Sequence, residues 1–303
     1  MMEKMEFQQK IMDLLPDIEL KFSEPMSKHT SFRIGGPALV MAFPDNAEKL
    51  SKVLKVSALL DKKWRILGAG TNVLAPDNGI NEIVICLKDC LNGIELLDET
   101  HIRVASGVTM TRAAVLAANH GLGGMEFAHG IPGTVGGGIF MNAGAYGGEL
   151  SQICQSVTVM TPDGNIKEYS SEEMNFSYRH SRLEDAFEIV LSAVFALEKK
   201  NPEDIKAEIQ DLLRRRKTSQ PLDLPSAGSA FKRPVGGYAA ALIDQAGLRG
   251  YRIGDAAVSE KHAGFVVNLA NATAEDVKQV LKDVSDKVYS QTSIKLEPEM
   301  RIW

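Results

Sequence analysis

A chain of 303 residues, 44% hydrophobic and 24% charged, has the make-up of an ordinary folded protein long enough for two or three packed modules. The formal net charge of -5 argues against nucleic acid as the main partner, since phosphate binding favours a basic surface. It leaves room for a small anion held by backbone N–H groups and a few Lys or Arg side chains. Cys86, Cys90 and Cys154 are few and odd in number, which fits a reducing compartment, and with no second pair beside Cys86 and Cys90 to complete a zinc site they read as small buried or half-buried residues.

Phe7, Ile11, Leu14 and Leu15 fall at helical spacing and predict an amphipathic helix over 1–15. Glu3, Lys4, Glu6 and Asp13 interrupt the apolar core that a signal peptide needs. No run approaches the ~18 apolar residues that cross a bilayer. No membrane insertion is therefore expected, and the cytoplasm is the expected location. An irregular stretch from Pro25 to Gly36 precedes a predicted strand at Leu39–Phe43. Asp45 with Glu48 makes a capping-box-like start for a helix whose stripe is Leu50, Val53, Leu54 and Ser57, ending near Lys62. Strands are predicted at Trp64–Leu67 and Glu82–Leu87. Ile94, Leu96, Ile102 and Val104 flank the polar 98–100 as a hairpin, and Thr109 to Asn119 is helical up to a left-handed cap at Gly121. A second hairpin turns at Pro162-Asp163-Gly164, and Ile189–Leu197 reads as a buried strand.

In the last third, Asn201-Pro202 opens a helix with Ile205, Ile209, Leu212 and Leu213 on its inner face. Pro221 and Pro225 mark 218–228 as a linker or active-site loop. A helix at Tyr238–Ala246, strands near 251–258 and 264–269, a long helix from Thr273 to about Tyr289, and a final strand complete the chain. Helices and hairpins alternate without a regular βαβ repeat, so the fold class is α+β.

Two glycine-rich loops stand out. Gly68-Ala69-Gly70-Thr71-Asn72-Val73 follows a strand and reads either as a tight turn or as a phosphate loop in which bare backbone approaches an anion. A dinucleotide fingerprint of the G-x-G-x-x-G kind is excluded, because Val73 stands where the third glycine belongs and Pro76 blocks a following helix. The second loop, Gly130-Ile131-Pro132-Gly133-Thr134-Val135-Gly136-Gly137 and on through Ala143-Gly144, interleaves glycine with apolar residues. That composition points to an ordered loop against a flat ligand or a diphosphate rather than to a flexible linker. Two such loops favour one large phosphate-bearing cofactor.

With these loops, the segments His29–Gly36, Tyr178-Arg179, Ala227–Pro234 and Leu296–Arg301 resemble, in the same order, the UDP-N-acetylenolpyruvoylglucosamine reductase family. The resemblance implies a two-part FAD-binding region of the vanillyl-alcohol-oxidase-like type (1–90 and 91–212) followed by an α+β substrate-binding domain (213–303). It implies noncovalent FAD held by Arg33, by Gly68–Val73, and by Gly130–Gly137 with Ala143 and Gly144. NADPH would be the reductant and UDP-N-acetylglucosamine enolpyruvate the substrate, in the supply of peptidoglycan precursors. The catalytic residues would be Arg179, Ser229 and Glu299. On their own, Arg179 reads first as a solvated surface charge, Ser229 as a turn residue or helix cap and Glu299 as an exposed terminal carboxylate.

The implied chemistry explains the residue types. Hydride addition to the vinyl carbon builds negative charge on the neighbouring carbon and its carboxylate. Arg179 would hold that carboxylate, and Glu299 would stabilise the enolate if it is protonated. Ser229 would supply the proton, with Lys232 stabilising the alkoxide left behind. Lys217 matches a substrate-binding position near the nucleotide diphosphate, and Arg233 stands at another. Arg233 replaces the Asn of the better-known branch, and the short connection from Arg179 to Ser229 fits the branch without an extra substrate-capping loop. The six histidines show no metal spacing. Two other readings remain: a sugar or alcohol oxidase of the same superfamily, and a non-catalytic nucleotide binder.

Overall fold

Residues 2–303 are described by a computed structural model, in which the chain forms two units of interleaved segments. One comprises the residues up to Ser23 with Leu39–Ala69 and Glu82–Arg214; the other comprises Glu24–Ala38, Gly70–Asn81 and Arg215–Trp303. The predicted divisions at 90 and 212 cut a linear chain, whereas these units alternate along it. Among the described residues no helix is long and apolar enough to cross a membrane.

The first unit holds two apolar clusters. In one, the helices Met2–Leu14 and Ala47–Leu59 lie against a sheet ordered Glu19–Pro25, Pro37–Phe43, Ile80–Cys86, Trp64–Leu67, the last two strands parallel with Trp64 opposite Ile83. Ile11, Leu50, Val53 and Leu54 are buried, as their helical spacing requires. Each such side chain contributes about 1.5–3 kcal/mol through burial. The second helix starts one residue later than its capping pattern suggests. Asn46, not Asp45, is the cap, its side-chain oxygen accepting from Lys49 N at 2.8 Å. Asp45 instead pairs with the Lys49 side chain at 2.8 Å.

The second cluster lies under an antiparallel sheet ordered Ile166–Ser170, Cys154–Met160, Ile189–Ala196, His101–Ala105, Ile94–Leu96. Both predicted hairpins are present in it, pairing Leu96 with Ile102 and Val159 with Lys167. The helix Met110–Asn119, capped by Thr109, buries Ala113, Ala114 and Ala117 in this core. Within the second glycine loop, expected to be an ordered loop, lies a short helix, Val135–Phe140. Three consecutive glycines oppose a helix by about 1 kcal/mol each. Packing overrides propensity: a Cβ on Gly136 would stand 2.8 Å from Ser106 Cβ, so glycine is what lets this turn reach the sheet.

In the second unit an antiparallel sheet ordered Ser226–Ser229, Phe265–Asn268, Ala256–Val258, Arg252–Ile253 packs on the helix Ala274–Thr292. Val277, Val280, Leu281, Val284 and Val288 line the buried side of that helix. Its start is a reciprocal box: Asp276 N donates to Thr273 Oγ1 at 3.0 Å and Thr273 N to Asp276 Oδ2 at 2.9 Å. The final strand Arg301–Ile302 pairs in parallel with Val73–Leu74 and so fixes the chain's end beside the first glycine loop.

Two expectations in the last third are corrected. The helix Pro202–Ser219 runs into the stretch expected to be loop, and Ser226–Ser229 is a strand. Leu213 is 37% exposed, while Arg216 is only 9% exposed. The inner stripe steps through 205, 209, 212 and 216, and 213 lies one residue off it.

Burial pushes the Cys154 thiol up to about 12 and the Cys90 thiol up to about 11. At pH 8 the folded protein is expected to react with a thiol-specific disulfide reagent only slowly, all three cysteines titrating once it is denatured. A fast-reacting equivalent in the native protein would contradict the burial.

Candidate active site

In the second unit three segments distant in sequence meet through backbone bonds. Ser31 N and Ser31 Oγ donate to Gly70 O at 3.0 and 3.4 Å, and the hydroxyl also reaches Ser226 O at 2.6 Å. Gly70 has φ +63, and a Cβ there would overlap the His29 carbonyl and lie 2.9 Å from Thr30 Cα. Asn72 O accepts from Arg301 N at 2.9 Å, and Asn72 Nδ2 donates to Glu299 O at 3.4 Å. Glu299 N in turn donates to Ala230 O at 2.9 Å, beside an isolated bridge between Phe231 and Pro298. Ser229 and Glu299 are thereby set on adjacent backbones, joined to the loop that carries Asn72. Ser229 is exposed at the end of its strand between the buried Ala227 and Ala230, and Glu299 is half-buried. Arg33, at φ +57, sits in a turn closed by Arg33 N donating to Thr30 O at 3.1 Å.

In the first unit the second glycine loop is fastened to the sheet and to the helix Met110–Asn119. Met110 N donates to Gly133 O at 3.0 Å, Val135 N to Val108 O at 2.8 Å and Gly136 N to Ser106 O at 2.9 Å. Gly68 packs on the Thr134 side chain, which also caps the short helix by accepting from Gly137 N at 3.4 Å. Arg179 is half-buried, its Nη2 donating to Gly144 O at 3.3 Å with the guanidinium 5.0 Å from the Tyr178 ring. Its φ of +58 is a strained value for a residue with a Cβ.

The three candidate substrate residues are placed as follows. Lys232 Nζ is 4.0 Å from Glu297 Oε2, and the exposed Arg233 lies 4.5 Å over the Tyr238 ring. Lys217 is exposed in the last turn of its helix, and its carbonyl accepts from Lys261 Nζ at 2.7 Å. His129, next to the second loop, has its pKa lowered by burial, and its Nδ1 has no hydrogen-bond partner.

Two family models match this architecture: an FAD binding domain over residues 38–170, and the C-terminal domain of UDP-N-acetylenolpyruvoylglucosamine reductase over residues 220–303. The chain is 45% identical over 307 residues to the reductase of that name from Agathobacter rectalis, the match covering 98% of each. The chain belongs to the UDP-N-acetylenolpyruvoylglucosamine reductase family. A relative of the same name from Streptococcus pneumoniae is 43% identical over 298 residues, again covering 98% of each. The crystal structure of the reductase from Thermus caldophilus is similar with a TM-score of 0.81 at 34% identity, covering 94% of this chain and 98% of that one. The protein is thus an FAD-binding oxidoreductase with the expected α+β fold, an FAD domain followed by this family's C-terminal domain.

The loop residues fit the cofactor. A Cβ on Gly137 would meet only Thr134 Oγ1, at 3.6 Å, and one on Gly147 or Gly228 would meet nothing within 4 Å. The second loop is therefore packed on Ser106 at Gly136 and open at Gly137 and Gly147, which suits backbone contact with a diphosphate or a flat ring, whereas Gly68 and Gly70 of the first loop are packed closely by Thr134 and His29. Two participants were missed in the sequence. Ser31, which bridges two motifs, gave no signal beyond its place in the first of them. Asn142 gave a readable one: asparagine before Ala143-Gly144 is the non-glycine residue that best tolerates the φ of +42 found there.

Proposed function

We propose that the protein reduces UDP-N-acetylglucosamine enolpyruvate to UDP-N-acetylmuramate in the cytoplasm, using NADPH and noncovalent FAD, and so supplies a peptidoglycan precursor. The near-full-length likeness to reductases of this name carries the reading. Residues 1–90 and 91–212 serve FAD binding in it, and 213–303 the substrate. Arg33, the Gly68–Val73 loop, Gly130–Gly137 and Ala143-Gly144 hold the cofactor. Bound FAD supplies a two-electron relay from the nicotinamide to the terminal vinyl carbon.

What this chain's side chains do follows from where charge develops. Reduction of the vinyl carbon leaves an electron pair on the neighbouring carbon, delocalised into the carboxylate. Arg179 orients that carboxylate through its planar, permanently charged fork. Glu299, acting as a neutral acid, donates a hydrogen bond to the enolate. Ser229 gives its hydroxyl proton to the carbon, which completes the lactyl group and fixes its configuration by fixed placement on one face. The proton leaves an alkoxide on Ser229, which Lys232 helps to stabilise before solvent reprotonates it. Lys217 and Arg233 bind the sugar nucleotide.

The test is steady-state oxidation of NADPH by the FAD-loaded protein. Turnover that needs the enolpyruvyl sugar nucleotide supports the reading. Equal consumption without it, with oxygen as the acceptor, would identify a non-specific flavoprotein, whereas no NADPH consumption together with rapid flavin reoxidation by oxygen would identify a sugar or alcohol oxidase.

A further inference from the structure

We propose that Asn142 is a positioning residue for Arg179; this rests on the reading of Arg179 as the group that holds the substrate carboxylate. Arg179 occupies the third position of a tight turn, in which His180 N donates to Ser177 O at 3.2 Å and Ser177 N to His180 O at 3.1 Å. Its φ of +58 costs about 1–3 kcal/mol in a residue other than glycine, so the turn needs an outside hold.

Two side chains supply that hold. Asn142 Nδ2 donates to Ser177 O at 3.1 Å, and Ser181 Oγ donates to Phe140 O at 2.8 Å. Both bonds tie the turn to the stretch that ends the second glycine loop. That same stretch receives the Arg179 guanidinium at Gly144 O, two residues beyond Asn142. The height of the guanidinium above Ala143-Gly144 is thereby set by a hydrogen bond made from within the loop.

Asn142 is 1% exposed, and both ends of its amide are used, Oδ1 accepting from Ser151 N at 2.9 Å. A side chain that donates to one backbone and accepts from another, on a residue with φ +42, is asparagine's particular combination. Aspartate keeps the acceptor and the backbone tolerance but loses the donor, and would set a carboxylate oxygen against the Ser177 carbonyl. Asn142→Asp therefore releases the turn while keeping the bond from Ser151 N.

The experiment uses FAD-loaded protein reduced by NADPH without oxygen, then mixed either with the enolpyruvyl sugar nucleotide or with dioxygen. For Asn142→Asp, reoxidation by the substrate is expected to fall on the order of 100-fold, as a displaced orienting group does. Flavin content and reoxidation by dioxygen, which need no carboxylate to be held, should stay at the wild-type level. Combined with Arg179→Ala, the further loss from Asn142→Asp should be about twofold or less, because the two act through one interaction. Asn142→Gly, which keeps the positive φ but removes both bonds, is read in the same way should the aspartate variant fail to fold.

A loss that merely tracks lost flavin, an equal slowing with dioxygen, or full multiplicative loss in the Arg179→Ala background overturns the proposal. Wild-type reoxidation in Asn142→Asp with slow reoxidation in Arg179→Ala sinks the positioning role alone. Wild-type reoxidation in Arg179→Ala sinks the reading of Arg179, and the positioning role with it.

Discussion

Ser229→Ala is expected to keep its flavin and to be bleached by NADPH at the wild-type rate, yet to be reoxidised by the enolpyruvyl substrate at least ~100-fold more slowly. The asymmetry follows from when the hydroxyl acts. Reduction of the cofactor transfers nothing to or from Ser229, whereas quenching the enolate needs a proton at a fixed point. A hydroxyl is a poor acid against ordinary bases, but a carbanion-like enolate is a strong base, so the mismatch is tolerable. Ser229 is also exposed at the end of its strand and pairs through its backbone with Phe265, so removal of its oxygen leaves no cavity. A stability effect is therefore not expected to disguise the kinetic one. Stopped-flow absorbance of the flavin separates the two half-reactions, and wild-type reoxidation would remove Ser229 as proton donor.

Gly70→Ala is expected to have the largest effect on the folded state itself. The residue sits at φ +63, where a Cβ costs about 1–2 kcal/mol, and that Cβ would overlap the backbone carbonyl of His29. Backbone cannot swing aside as a side chain can, so overpacking adds about 1–3 kcal/mol more. A fall in melting temperature on the order of 10 °C should follow. The strain would be relieved by shifting the contact between Ser31 and Gly70, and with it the loop that leads to Asn72 and Glu299. Purified Gly70→Ala should therefore hold markedly less FAD than the wild type. An unchanged melting temperature with full flavin would mean that this loop is neither tightly packed nor in contact with the cofactor.

Much of the fold was legible because its signals are local. The stripes in Ala47–Leu59 and Ala274–Thr292 and the alternation in the two hairpins need only neighbouring residues to declare a period. Local reading failed where a distant contact decides. The helix Val135–Phe140 exists despite its glycines because the sheet at Ser106 accepts a turn without side chains. The cap of the second helix was misplaced by one residue for a local reason, since Asn46 accepts from Lys49 N where Asp45 was expected to cap. The site was legible only in part. Glycine-rich composition marked both loops, but nothing near Ser229 or Glu299 tells that residues some 70 positions apart share a backbone pairing. That link came from family resemblance, and in the folded chain it is the bond from Glu299 N to Ala230 O. The interleaving of segments 24–38 and 70–81 with the C-terminal third had no sequence signal at all.

The central claim is that glycine-lined backbone carries one flavin that works between a nicotinamide and an enolpyruvyl ether. It is tested most directly by the visible spectrum of the purified protein under anaerobic conditions. A flavin spectrum that bleaches with NADPH and returns in proportion to added enolpyruvyl sugar nucleotide is the predicted result. A colourless protein, or a bleached flavin that this substrate leaves reduced, would contradict it.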